Sequence, residues 1–382
     1  MRINICLLLL LLNSCSGTNN TAESLSSSSD EFKVFTIDLK AEKSKLSTLI
    51  DEVEIMRLEE GEEGLLSTIA YFNEIEDGFV FTSGEEKGVF IYSSTGELRK
   101  KINHSGKGPA EYSDIKGLWV KEDTLFVYSF YIKKVLKYNL DGRYLGESKL
   151  VHNYGDIYPN GKSYVADLSS YGFYDSVKYK LAFLDTDFQS KSFSIPQNLP
   201  PPFPVRVSLN SFSPYKDALT YKTLTSDSVF LVEGDQARPL LKMDFGNDWL
   251  WSDPDVLENP EQASNFLQTK QKVWTLNASI GERYVFYYYG LGLNTPTWAL
   301  LDRYTSKETR IDLTKTETEQ FGINALQWSG DRLLVAFQST DVANFLKELD
   351  KTQFKFREGT TLEKIESSEN SVLMWVKFKE GY

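Results

Sequence analysis

The sequence predicts an all-β fold, a β-propeller, and three observations carry that expectation. Strand–turn–strand signatures recur along the chain, their turns are almost evenly spaced, and the chain is long enough for a full ring of such units. The turns are Ser94-Thr95-Gly96, Asn139-Leu140-Asp141-Gly142, Asp185-Thr186-Asp187, Glu233-Gly234-Asp235 and Asp302-Arg303-Tyr304-Thr305. Each follows an apolar or alternating run such as Phe90-Ile91-Tyr92 or Val229-Phe230-Leu231-Val232, and a second run leaves it, which is a hairpin signature. Gly96 to Gly142 is 46 residues, Gly142 to Asp187 is 45 and Asp187 to Gly234 is 47. A period of about 40–50 residues with several strands per repeat marks propeller blades. A pair of β-sandwiches, whose hairpins are also regular, is the alternative.

The chain opens with Met1-Arg2 and then a short apolar run from Leu7 to Leu12. That run is shorter than the roughly 20 residues a bilayer span needs, and it has the form of a secretory signal. Leu12-Asn13-Ser14-Cys15 follows and resembles the lipobox of bacterial lipoproteins. Residues 1–14 are therefore read as a lipoprotein signal peptide and Cys15 as the lipid attachment site. Acyl chains contribute about 0.8 kcal/mol per buried CH₂, so several of them hold a protein firmly at a membrane. Cys6 would leave with the signal, and no thiol would remain for a disulfide or a nucleophile. Residues 15–30, with Ser26-Ser27-Ser28-Ser29, have no apolar periodicity and read as a flexible tether. Residues 31–382 are read as one propeller domain.

Within that domain Val34-Phe35-Thr36-Ile37 and Val372-Leu373-Met374-Trp375-Val376 are candidate terminal strands. They are expected to close the ring by lying in the same blade or in adjacent ones, which would hide two sheet edges. The next turn after Gly234, near Arg303, is about 70 residues on, and the excess holds Trp249 to Trp274. An inserted helix or long loop is expected there. A second helix is expected over Asp341 to Leu349, where Val342, Phe345, Leu346 and Leu349 recur at helical spacing. The repeat alone fits six or seven blades.

The segment His104-Ser105-Gly106-Lys107-Gly108-Pro109-Ala110-Glu111-Tyr112 resembles a glycine-rich segment of the six-bladed, NHL- or TolB-like β-propeller lipoproteins of Bacteroides-type bacteria. Leu46 to Leu58 is similar to that family's leading segment and Asn370 to Trp375 to its closing strand. The resemblance implies six blades of four antiparallel strands, and the expected lipid anchor implies a location in the cell envelope, at the outer membrane, with the periplasmic and surface faces both open. In the loop itself, Gly106 and Gly108 are free to take positive φ, Pro109 fixes its own φ, and Glu111 is placed to accept backbone N–H bonds. The segment lacks the Lys-Ser/Thr ending of a phosphate loop, so its role is read as structural.

Composition narrows the function. The 382 residues carry 42 basic and 54 acidic side chains, a net charge of −12, which argues against a nucleic-acid partner. Two Cys and two His leave little for metal or thiol chemistry, and neither a metal nor a cofactor is expected. The Gly-x-Ser-x-Gly and His-Glu-x-x-His motifs do not occur. His104 and His152 lie 48 residues apart, close to one repeat, and are candidates for one rim of the central channel. The loop tyrosines Tyr154, Tyr158 and Tyr171 are candidates for stacking on a sugar or on a partner side chain. Phe286 and Trp119 read as core. The expected function is a membrane-anchored binding scaffold for a protein or a glycan. The alternative is a polysaccharide-acting envelope enzyme, a hydrolase or lyase, with its site at the channel mouth; no pair of carboxylates is singled out for it.

Overall fold

The five turns read from the sequence all occupy one position: each joins the third strand of a blade to the fourth. A computed structural model of the protein describes residues 30–61, 65–84, 87–169, 177–197, 210–223, 225–259, 262–294 and 296–381. The segment expected to be a signal peptide, Cys15, nearly all of the expected tether and Tyr171 lie outside these residues.

The described strands form six sheets, arranged as the blades of a propeller. Blade 1 runs Ile69–Ile75, Gly78–Ser83, Val89–Ser93 and Leu98–Ile102. Blade 2 runs Gly117–Lys121, Thr124–Ser129, Lys134–Asn139 and Tyr144–Lys149. Blade 3 runs Ile157–Asn160, Ser163–Asp167, Tyr179–Leu184 and Ser190–Pro196. Blade 4 runs Phe212–Tyr215, Ala218–Tyr221, Ser228–Glu233 and Gln236–Asp244. Blade 5 runs Val273–Ile280, Tyr284–Leu291, Thr297–Asp302 and Glu308–Asp312. Blade 6 takes Ile323–Ser329, Arg332–Phe337 and Val372–Phe378 from the end of the chain and Ile50–Met56 from its beginning. These four-stranded cores are antiparallel, and three blades add a fifth, parallel strand.

The core lies between the blades. Successive side chains of a strand point to opposite faces, so each blade buries both. On the second strand of blade 1, Phe79 and Phe81 pack toward blade 6 with Leu334 and Trp375, while Val80 packs toward blade 2 with Val127 and Leu136. This is why such strands read as continuous apolar runs rather than alternating ones. Trp119 and Phe286 are each 1% exposed, in the interfaces of blades 2 and 3 and of blades 5 and 6. Six apolar clusters fill the six interfaces, and a seventh lies under the insertion between blades 4 and 5. That insertion holds the helices Pro254–Glu258 and Ala263–Thr269. Asp253 caps the first helix and receives Lys270 at 3.0 Å and Lys272 at 2.5 Å. The second expected helix is Ser339–Leu346, inside blade 6.

Ring closure corrects one expectation. Val34 to Thr36 does not meet the C-terminal strand; Lys33–Thr36 lies parallel to Gln236–Asp244 on the edge of blade 4, two blades away from blade 6. The closing strand is Ile50–Met56, antiparallel to Val372–Phe378, with Val53 opposite Val376 and Ile55 opposite Met374. Burial explains the choice. Ile50, Val53, Ile55 and Met56 are fully buried, whereas Val34 is 52% exposed and its strand buries only Phe35. Between these two strands Lys43–Lys45 pairs with the outer edge of blade 5. One N-terminal strap thus crosses blades 4, 5 and 6. It starts at Asp30, which accepts hydrogen bonds from the Tyr215 hydroxyl (2.8 Å) and Lys216, while its carbonyl accepts one from Arg238.

Charge reinforces the closing strand. Arg357 donates to Glu54 at 2.9 Å and lies over the Trp375 ring, 3.4 Å from its centroid. Lys355 pairs with Glu52 at 2.7 Å, and Arg332 reaches the same carboxylate at 2.9 Å. The bond from Lys355, followed by that from Arg332, holds the Glu52 carboxyl below its usual range. A chain starting at Asp30 is expected to melt as the full-length protein does. One starting at Leu58 is expected to expose the edge of blade 6 and aggregate; equal thermal melting of the two would refute this account of closure.

Candidate functional site

The two histidines occupy matching places but do not meet. His104 lies on the linker between blades 1 and 2, stacked on Tyr138 at 5.0 Å, and its Nε2 donates to the Gly142 carbonyl at 2.7 Å. His152 lies on the next linker, edge-on to Tyr154 at 6.4 Å. Tyr154 is 1% exposed; its backbone N–H donates to the Tyr128 hydroxyl, which donates back to the Tyr154 carbonyl. Tyr158 stands at the neck of the central channel beside Phe212. Tyr171 lies outside the described residues.

The glycine loop is tied both within itself and to the blades beside it. Glu111 accepts the Gly108 N–H at 2.7 Å, and the Tyr138 hydroxyl donates to the Ala110 carbonyl at 2.9 Å. Neither Gly106 nor Gly108 has the positive φ that the sequence suggested. Glycine is required for space instead: a Cβ on Gly106 would lie 1.9 Å from Glu111 Oε2.

The open chemistry lies at the centre of the ring. The first strands of blades 6, 1, 2 and 3 touch in succession there, as do those of blades 4, 5 and 6. They leave a cavity of about 360 Å³ walled by Ile69–Phe72 of blade 1, Ser213 and Lys222 of blade 4, Asn277, Tyr288 and Trp298 of blade 5, and Ile323–Leu326 of blade 6. A narrower pocket adjoins it between Tyr71, Phe72, Asp156, Tyr158 and Ser213.

Lys222 follows directly on the second strand of blade 4, and its ammonium donates across the interface to the Ala278 carbonyl of blade 5. Among the described residues lining the main cavity it is the one full charge, and no carboxylate stands beside it. Burial pushes its pKa down to about 8, because the ammonium loses water without gaining an anion. On the adjoining wall Asn277 donates to the Tyr288 hydroxyl at 3.2 Å, and the Tyr288 and Trp298 rings lie 4.8 Å apart. Burial raises the Tyr288 phenol, so it stays a neutral hydroxyl. Opposite, Tyr71 has a φ of 50° where strand pairing slips between Ala70 and Asn73. Asn73 donates to its carbonyl at 2.7 Å and to that of Leu118 at 3.2 Å, holding the bulge against blade 2. A bulged, left-handed tyrosine is a costly feature, and its place in the channel wall marks that wall.

Two carboxylates come together nearby. Ser211 donates its N–H to Asp156 at 2.8 Å and its hydroxyl to Asp167 at 2.7 Å; Tyr221 adds a bond to Asp167 at 2.9 Å. These bonds clamp blade 3 to blade 4, and of the pair only Asp156 lines the neck. Among the described residues no group of three His, Cys, Asp or Glu is placed to hold a metal ion. Sequence reasoning did not single out Lys222 or Tyr71. A lysine directly after an apolar strand reads as a solvated strand end. Tyr288 lies on the strand Tyr284–Leu291, and nothing local in that strand shows that this side chain reaches the channel.

Two substitutions test this geometry. Gly106→Ala is expected to cost about 1–3 kcal/mol through overpacking, with Glu111→Ala in the same chain restoring part of it in denaturant titrations. Lys222 binds its proton more weakly folded (about 8) than unfolded (10.5), so its penalty is full below the first value and fades as pH rises to the second. Lys222→Met is therefore expected to stabilise the protein at neutral pH, on the order of 1–3 kcal/mol. That gap should close toward pH 10.5; a gap independent of pH would contradict a buried charge.

One solved structure shares this fold. The crystal structure of a "Putative exported protein (BF0058)" of Bacteroides fragilis superposes with a TM-score of 0.70 at 14% identity, covering 91% of this chain and 100% of that one. A DUF4221 family member from Bacteroides vulgatus aligns with a TM-score of 0.49 at 14% identity, over 87% of this chain and 97% of that one. No curated protein sequence matches the chain. Residues 34–377, from the first strap strand to the closing strand, match the family described as "Domain of unknown function (DUF4934)", and the chain belongs to that family.

Proposed function

We propose that this protein is an exported, lipid-anchored binding scaffold of the cell envelope, with its ligand site in the central cavity. The observation that carries this reading is the cavity itself. It is open to solvent, walled from blades 1, 4, 5 and 6, and furnished with one ammonium, side-chain amides and hydroxyls, and the aromatic residues Tyr71, Phe72, Tyr288 and Trp298. Such a mixture of ring faces and a few placed polar groups is the usual make-up of a small-molecule site. Binding is favoured over hydrolysis because Asp156 and Asp167 are occupied by Ser211 and Tyr221. The leader with Leu7–Leu12 and Cys15 supports export and acylation, and the Bacteroides fragilis neighbour carries a name of the same sense. The rigid ring would then present its cavity at the outer membrane.

Capture from native membranes and from a glycan array tests the site. Ser213→Trp fills the cavity from the first strand of blade 4 and is expected to abolish whatever the wild-type protein captures. Retention of the same ligand by a folded Ser213→Trp variant would move the site elsewhere. Anchoring is tested separately: Cys15→Ala is expected to shift the protein from the membrane to the soluble fraction, and unchanged membrane retention would count against acylation.

A further inference from the structure

We infer that the cavity takes an acidic saccharide, seated with one carboxylate on Lys222 and a ring face against Trp298 and Tyr288. This rests on the central cavity being the ligand site. Lys222 places a positive charge in a wall that has no acidic side chain among its described residues. A protein with a net charge of −12 has many carboxylates, yet none is spent on this ammonium. Its ammonium donates instead to a neutral carbonyl, that of Ala278. An ion held this way lacks a counter-charge, and a ligand carboxylate supplies it through a charge-assisted hydrogen bond.

The remaining wall sets the rest of the ligand. Trp298 and Tyr288 offer ring surface to the apolar face of a sugar, while Asn277, Ser213 and the Tyr288 hydroxyl are spaced around it for sugar hydroxyls. The volume, about 360 Å³, accepts a small saccharide rather than a polymer surface. Charge selects a monoanion. Asp156 stands in the adjoining neck and opposes a second negative charge, and one lysine gives a phosphate dianion half of what it needs. A single carboxylate on a hydroxylated ring meets both conditions.

The test is calorimetric titration of the protein with mono-, di- and trisaccharides of galacturonic, glucuronic and mannuronic acid. Their methyl esters, the neutral parent sugars and the sugar phosphates serve as comparison arms. At least one acid is expected to bind, with its ester and neutral parent about 10- to 100-fold weaker, the range for loss of one charged hydrogen bond. Lys222→Met is expected to bind the acid as weakly as wild type binds the ester, and Lys222→Arg to retain most of the affinity. Melting curves establish that both variants are folded. The bound acid is also expected to protect Lys222 from reductive methylation, a readout that does not depend on any variant. Three outcomes overturn the inference: no acid in the panel binds, neutral sugars bind equally well with Lys222→Met without effect, or the phosphates bind more tightly than the acids. If Ser213→Trp still abolishes capture from membranes in any of these cases, the cavity stands as the site and only the ligand assignment falls.

Discussion

Every blade of this protein is apolar on both faces, and that constraint organises the rest. A sheet buried on both sides needs a neighbour on each side, and a row of such sheets has no stable end. The row must return on itself. The N-terminal strand Ile50–Met56 serves this purpose by completing blade 6, whose other core strands come from residues 323–378. The Glu52 and Glu54 ion pairs and the Arg357–Trp375 stack gather at that seam. Partly exposed ion pairs contribute little each, so the apolar side chains of the seam carry most of its stability and the charges add register.

The ring also accounts for the central cavity. First strands lean together at the axis but do not fill it. The residues facing the gap are freed from the apolar requirement that governs the blade interfaces. Polar side chains concentrate there: Ser213, Asn277, Asn324 and Lys222. Some are already tied down, as where Asn324 of blade 6 donates to the Ile69 carbonyl of blade 1. The same scaffold that buries Trp119 and Phe286 completely leaves Tyr288 and Trp298 with ring surface toward solvent.

The fold was legible in the sequence because its repeat is local. Gly96, Gly142, Asp187, Gly234 and Arg303 mark the same turn in blades 1 to 5, and turn chemistry depends on neighbouring residues. Blade 6 shows no such signal for a physical reason: its third and fourth strands come from opposite ends of the chain, so no turn joins them. The same non-locality misdirected the closure reading, since Val34–Ile37 and Ile50–Met56 both look like strands and only burial against distant residues separates their roles. The site was nearly illegible. Its walls come from four blades, and nothing local to Thr220-Tyr221-Lys222-Thr223 tells a channel lysine from a surface one. At Gly106 the residue type was read correctly and its cause was not, because the Glu111 carboxylate occupies the space a side chain would need.

The strap has a consequence for the order of assembly. Val53 and Val376 are partners yet lie about 320 residues apart, and loop-closure entropy makes such contacts late ones. During synthesis Ile50–Met56 is made early, yet its antiparallel partner Val372–Phe378 emerges only near the end of the chain. The nascent chain therefore stays an open arc, unable to lock before it is released. The wheel's own topology thus delays its completion until nearly the whole chain has been made.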